Sequence, residues 1–211
     1  MSSQALSIQL VAKNLGKRFR NEWIFKNFDY DFQAGNVYAI TGANGSGKST
    51  LLQLLWAQTL PTTGSVSYLL NNQEIEVQSI YQQVAIVAPY LELIEEFTLE
   101  ELVQFHFKLR KPIEGINVKD IITLLHLNHA SLKQIGNFSS GMRQRVKLGL
   151  AVLTEKKVLF LDEPYTNLDE TSCLWAEDLI KKYPTDLTFI ASNDKNEYRH
   201  ADQVIDMHTF K

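Results

Sequence analysis

Gly42-Ala43-Asn44-Gly45-Ser46-Gly47-Lys48-Ser49-Thr50 fits the pattern G-x-x-x-x-G-K-[ST], and its reading decides the fold. Glycines let the backbone turn tightly with its N–H groups inward, a concave nest for phosphate oxygens. The helix that follows adds the positive end of its dipole. Lys48 is placed to reach β- and γ-phosphates, and the Ser49 hydroxyl to ligate Mg²⁺. A Gly-rich turn before a helix cap would share this composition, but the flanks speak for the phosphate loop. Val37–Thr41 reads as a buried strand. Lys48 to Ala57 reads as a helix with Leu51, Leu52, Leu54 and Leu55 on its inner side. Strand, loop and helix in that order are the context the motif requires.

Outward from this loop, strand signals dominate the N-terminal side. Ser7 to Val11 reads as a strand, and Phe28, Tyr30 and Phe32 alternate with polar residues at the period of a half-buried one. Met1 to Ala5 read as a disordered start. After the loop helix, Pro61 to Gly64 is a turn, and Ser65–Leu70 and Glu74–Val77 flank Asn71-Asn72 as a hairpin. Val84 to Ala88 is a short buried strand stopped by Pro89.

From Leu91 to about Leu153 the strand signals vanish. Thr98 and Glu101 fit a capping box for a helix to about Leu109. Val118–Leu127 and a stretch from near Ser140 to Leu153 read as two more helices. Alternation then returns: strand Val158–Asp162, helix Glu170–Lys182, strands Leu187–Ser192 and Gln203–Met207. The pattern predicts an α/β core carrying one inserted helical segment, about residues 91–153.

Composition bounds the class. The chain has 211 residues, 45% hydrophobic and 21% charged, enough for one domain with a sizeable core. The net charge of −3 gives no nucleic-acid signal, so no nucleic-acid partner is expected. One cysteine, Cys173, excludes an internal disulfide. Apolar runs such as Val158–Leu161 fall far below the roughly 18 residues of a membrane span. A soluble, cytoplasmic protein is the expectation, with any membrane span supplied by another chain.

Two further stretches carry chemistry. In Val158-Leu159-Phe160-Leu161-Asp162-Glu163, four apolar residues make a buried strand and two carboxylates emerge at its C-terminal end, where open α/β sheets hold ligands. Asp162 is placed to hold Mg²⁺ with Ser49, and Glu163 to polarise an attacking water. In Phe138-Ser139-Ser140-Gly141-Met142-Arg143-Gln144-Arg145, a small polar cluster with glycine opens a helix, either as a second phosphate site or as an ordinary serine cap.

The order of these three sites resembles the nucleotide-binding subunit of ABC transporters. Gly42–Thr50 looks like its Walker A, Phe138–Met142 like its signature, usually Leu-Ser-Gly-Gly-Gln, and Asp162-Glu163 like its Walker B with the catalytic glutamate. Thr166 to Asp169 looks like the D-loop. The resemblance spans about residues 6 to 208. It implies an ABC ATPase fold: a P-loop NTPase core, an N-terminal antiparallel β part and an inserted helical subdomain. It also implies MgATP bound in a head-to-tail dimer, with Ser139, Ser140, Gly141 and Met142 meeting the partner's nucleotide. Phe19 falls where the family stacks an aromatic ring on adenine; a core or surface phenylalanine is the other reading. The implied partners are a polytopic membrane subunit and a second ATPase subunit, identical or not. The implied location is cytoplasmic, peripheral to the inner face of the cell membrane. In size the chain is similar to the haem-exporter and ABC-2 type export ATPases, and it closes soon after its last strand, so no regulatory domain is expected.

Two family positions depart. The loop glutamine after Val84–Ala88 is replaced by Tyr90, and the switch histidine after Leu187–Ser192 by Asn193. Asparagine hydrogen-bonds but carries no charge. With Lys48, Asp162 and Glu163 intact, hydrolysis slower than in relatives is expected. The rival reading is an ATP-gated regulatory or clamp module with weak hydrolysis and no transport role.

Overall fold

A computed structural model describes residues 7–211, so the expected disordered start, Met1 to Ala5, lies outside the described residues. The chain divides into two units: one of residues up to 84, 157–162 and 185–211, and one of residues 85–156 and 163–184.

In the first unit two sheets frame the phosphate loop. The antiparallel sheet has the order β2-β1-β4-β5: β1 Ile8–Phe19, β2 Glu22–Phe32, β4 Thr63–Leu70 and β5 Gln73–Ile75. β1 runs far past the expected Val11. Its continuation, Ala12 to Phe19, contains Asn14, Gly16 and three cations, residues with little strand preference of their own. Pairing with β2 on one side and β4 on the other overrides that weak local preference, and register shifts around Leu15 and Lys17 absorb the misfit. β4 starts two residues earlier than the hairpin pattern suggested, at Thr63.

The parallel sheet of this unit has the order β7-β8-β3-β9: β7 Val158–Asp162, β8 Leu187–Ala191, β3 Asn36–Thr41 and β9 Gln203–Asp206. β7 and β8 are buried along their whole length, as strands covered on both faces must be. Phe160 stacks on Phe189 with centroids 4.8 Å apart, and Trp56, just past the loop helix, meets the Phe160 edge at 5.2 Å. Phe32 and Tyr38 continue the cluster. Burying each such ring contributes about 1.5–3 kcal/mol, which makes this a stiff floor for the loop above it. α1, Lys48–Leu55, rests on β7 and β8 with Leu51, Leu52, Leu54 and Leu55 buried. It ends two residues before the expected Ala57, which turns the chain with φ 63°.

β6, Val84–Val87, leads into the second unit, whose core is helical. α2, Leu99–Leu109, begins at the expected capping box: the Thr98 hydroxyl accepts from Glu101 N–H at 3.3 Å, and Glu101 Oε2 accepts from Thr98 N–H at 2.8 Å. The helix expected over Val118–Leu127 is shorter. A 3₁₀ turn, Val118–Asp120, precedes α3, Ile121–Leu124, and His126 with φ 57° stops it. The apolar periodicity there reflects packing, since Leu125 and Leu127 are buried without being helical. α4, Ser140–Leu153, and α5, Glu170–Lys182, stand where the sequence places them. Trp175 Nε1–H of α5 donates to the Leu124 carbonyl at 2.9 Å. Among the described residues no helix is long and apolar enough to cross a membrane.

Candidate functional site: a phosphate loop and its carboxylates

β3 delivers the chain into the loop Gly42–Gly47, and α1 leaves it at Lys48. Gly47 caps this helix with φ 105°, and a Cβ there would stand 2.7 Å from Ile24 Cγ2, so glycine is required twice over. No side chain caps the α1 N-terminus and no acid lies in its first turn. Its N–H groups and dipole are thus left for an anion. Ser46 Oγ is buried in the loop with no hydrogen-bond partner among the described residues, a cost that a ligand oxygen removes. Ala43, Asn44 and Gly45 are exposed at the rim, and Thr50 is half-buried in the first turn of α1.

Lys48 is 6% exposed. Its ammonium donates to the carbonyls of Gly42 and Ala43 at 2.9 and 3.3 Å and to Asn193 Oδ1 at 2.8 Å. Asn193 Nδ2 in turn donates to Asn44 Oδ1. The structure thus brings the switch position onto two loop side chains, which the sequence alone did not show. The sequence reading also passed over His208, whose Nε2 accepts from Ala43 N–H at 3.3 Å. Its neighbour Met207 packs beneath Gly42 and Gly47. Both sit in the 3₁₀ turn after β9, where no motif marks them; only the β3–β9 pairing brings them under the loop.

Asp162 ends β7 with its side chain 2% exposed, in the same unit as the loop. Ser49 lies in the first turn of α1, which packs on β7. A hydroxyl and a carboxylate are hard oxygen donors of the kind Mg²⁺ takes, so this pair fits the ion. Phe19, at the end of β1, is 51% exposed and not core; Lys17 Nζ lies 5.0 Å from its ring centroid and covers one face.

The remaining sequence-predicted residues lie in the second unit. Glu163 follows Asp162 with φ 47°, a conformation uncommon for a side-chain-bearing residue and typical of functional turns. Tyr90 is 43% exposed in the loop after β6. Ser139 is the N-cap of α4, its Oγ accepting from Met142 N–H at 3.2 Å. Capping uses one lone pair and leaves the O–H to donate, so cap and phosphate contact are compatible roles. Ser140 is exposed at the start of α4 and Met142 half-buried one turn in. Gly141 stands so close to the turn before α5 that a Cβ would lie 2.9 Å from Asn167 O. Asp169 caps α5, accepting from Ser172 N–H at 2.8 Å. Hydrogen bonds from the Ser172 hydroxyl first, then from its backbone and Thr171, hold the Asp169 carboxyl below its usual range, with Arg145 adding to them. Glu100 and Glu101 lie in the first turn of α2, and Glu101 completes the capping box of Thr98.

The family model for the ABC transporter matches residues 25–166. The sulfate/thiosulfate import ATP-binding protein of Thermosynechococcus vestitus is 31% identical over 94% of this chain and 61% of its own length. The Nod factor export ATP-binding protein I of Burkholderia lata is 31% identical over 74% of this chain and 53% of its own. The chain therefore spans somewhat over half the length of these relatives. They include import and export proteins alike and do not single out the haem-export type. Among solved structures, a putative ABC transporter ATP-binding protein from Pyrococcus furiosus superimposes with a TM-score of 0.80 at 20% identity, covering 96% of this chain and 99% of that one. An ATP-binding cassette solved as a dimer with ADP and phosphate gives 0.78 at 20% identity, covering 93% of each. The shared fold is the ABC ATPase fold, and the chain belongs to the ABC transporter family.

Proposed function

We propose that this chain is the ATP-binding subunit of an ABC transporter. It binds MgATP, dimerises head to tail around two nucleotides, hydrolyses ATP and resets, driving transport through a separate polytopic membrane subunit. It works in the cytoplasm at the inner face of the cell membrane. Residues 6–208 form one such domain, with the helical segment of about 91–153 inserted in it. The observation that carries this reading is the phosphate loop: an uncapped helix N-terminus, a buried lysine and an unpartnered Ser46 hydroxyl at one place. The names of the relatives point the same way.

In this reading Gly42–Thr50 hold the triphosphate, and Lys48 neutralises its terminal charge. Ser49 and Asp162 hold Mg²⁺, which when bound spreads the charge that develops on the phosphates. Glu163 accepts a hydrogen bond from the attacking water and orients it. Ser139, Ser140, Gly141 and Met142 meet the partner's nucleotide, and Asp169 belongs to the dimer face. Phe19 offers its ring to adenine. Catalysis is then mostly positioning and electrostatics.

Steady-state MgATP hydrolysis across protein concentration, with wild type and Glu163→Gln, tests it. Activity that rises with concentration and falls by about 10²–10⁴-fold in the variant is the expected result. A Glu163→Gln chain that forms no dimer with ATP would refute the sandwich. The alternative, an ATP-gated regulatory or clamp module with weak hydrolysis, draws on Tyr90 and Asn193 alone. Failure to fractionate with membranes when expressed from its own locus would favour it.

A further inference from the structure

Lysine donates hydrogen bonds and accepts none, so the Asn193 atom that faces Lys48 Nζ at 2.8 Å is the carbonyl oxygen. The amide's other end is fixed by the same logic, with Nδ2 turned to Asn44 Oδ1. Asn193 is therefore held at both ends by side chains of the phosphate loop, and its oxygen occupies one corner of the lysine's donor set. The Gly42 and Ala43 carbonyls, which also accept from Nζ, belong to the loop backbone. They cannot leave without rebuilding the cradle. Asn193 can leave: it is exposed, it follows the end of β8, and rotation about its side-chain bonds frees it.

We propose that the Asn193 side-chain oxygen competes with the terminal phosphate of a nucleoside triphosphate for Lys48, and that Asn193 thereby sets the preference of the site between tri- and diphosphate. The proposal rests on the reading of Gly42–Thr50 as the nucleotide cradle. A γ-phosphate oxygen bonded to Lys48 takes the place that Asn193 Oδ1 holds. The amide must then break its bond to the ammonium and turn aside. A diphosphate has no γ-oxygen and leaves the Lys48–Asn193 bond in place. Each triphosphate that binds thus gives up a charge-assisted hydrogen bond that each diphosphate keeps. The loss of one such bond corresponds to about tenfold in affinity.

The test is equilibrium binding of Mg²⁺–ADP and of a non-hydrolysable Mg²⁺–ATP analogue to the full chain, in wild type, Asn193→Ala, Asn193→Asp and Lys48→Ala. Asn193→Ala is expected to raise the triphosphate-to-diphosphate affinity ratio about tenfold, through tighter triphosphate binding. Asn193→Asp places a full negative charge against Lys48 and is expected to lower the ratio below wild type. The two variants move in opposite directions, so a general loss of folding cannot imitate the result. A ratio that stays within twofold of wild type in both variants, or that falls in Asn193→Ala, overturns the proposal. If wild type then binds both nucleotides and Lys48→Ala binds them at least about tenfold more weakly, the reading of the cradle survives that result. A wild-type chain that binds neither nucleotide overturns both.

Discussion

Gln144 Nε2 donates to the Pro164 carbonyl at 2.6 Å, a buried bond that ties α4 to the loop between Asp162 and α5. The next residue repeats the tie: the Arg145 guanidinium donates to Ser172 Oγ and lies 5.1 Å from the Trp175 ring centroid. The residues that follow Met142 thus fix the start of α4 to the stretch holding Glu163 and Asp169, within one unit. Gln144 and Arg145 lie at the end of the Phe138–Arg145 stretch, and the sequence assigns them no role of their own, yet they tie Ser139 and Gly141 to the segment that carries Asp169.

Gln144→Ala leaves the Pro164 carbonyl without its donor in a buried place. The expected cost is about 1–3 kcal/mol of stability. In a chain of this size that is a fall of roughly 2–10 °C in the melting temperature. Thermal denaturation followed by circular dichroism measures it, and an unchanged melting temperature would show that the bond contributes nothing.

Gly141→Ala puts a methyl 2.9 Å from Asn167 O, so the α4 start or the Asn167 loop must move. Nucleotide binding to the monomer should be unaffected, because Lys48 and its loop lie in the other unit. Turnover should fall about 10–100-fold, the scale of a small misplacement of a reacting group. Binding isotherms and steady-state rates on the same variant separate the two effects.

Lys48→Ala removes the ammonium but leaves the backbone cradle. Equilibrium binding should weaken by at least about tenfold, since a charge-assisted contact to phosphate is lost. Turnover should vanish. Retained tight MgATP binding would show that the cradle holds the nucleotide elsewhere.

Asn193→His and Tyr90→Gln restore the residues usual in the family. If the departures slow hydrolysis, each should raise turnover several-fold, and the pair more. A wild-type rate typical of relatives, indifferent to both changes, would contradict a slow cycle.

His106 gives the stability of the helical unit a defined pH dependence. The Thr154 hydroxyl donates to the Leu150 carbonyl at 2.7 Å, so the neutral His106 ring donates from Nε2 to Thr154 Oγ1, also at 2.7 Å. Burial, helped by the nearby Arg110 guanidinium, pushes His106 down to about 4 from the usual 6.5. The unfolded chain takes up a proton near 6.5 that the folded chain refuses until about 4. Stability is therefore full above 6.5, falls as pH drops through this window, and loses nothing further to this group below about 4. Allowing for partial exposure, the loss is about 2 kcal/mol. Denaturant melts at several pH values, wild type against His106→Gln, should differ in slope only inside this window.

Local chemistry was enough to reveal much of this protein. The loop glycines and Lys48, the carboxylates after four apolar residues, and the Thr98–Glu101 box are each legible within a few neighbours. Their meaning depends on backbone turns and caps that the sequence encodes locally. The helices α4 and α5 follow from the repeat of apolar residues along one helix face, and the strands β3, β7 and β8 from short continuous apolar runs, because a strand covered on both faces is apolar throughout. What tertiary structure decided was whatever depends on partners far away in sequence. β1 reaches Phe19 only because β2 and β4 flank it. Leu125 and Leu127 are core residues without a helix. Asn193 meets Lys48 because β8 lies beside β3, and His208 meets Ala43 because β9 does. A hydrogen bond between residues more than a hundred positions apart leaves no pattern in either neighbourhood, so sheet order had to supply it.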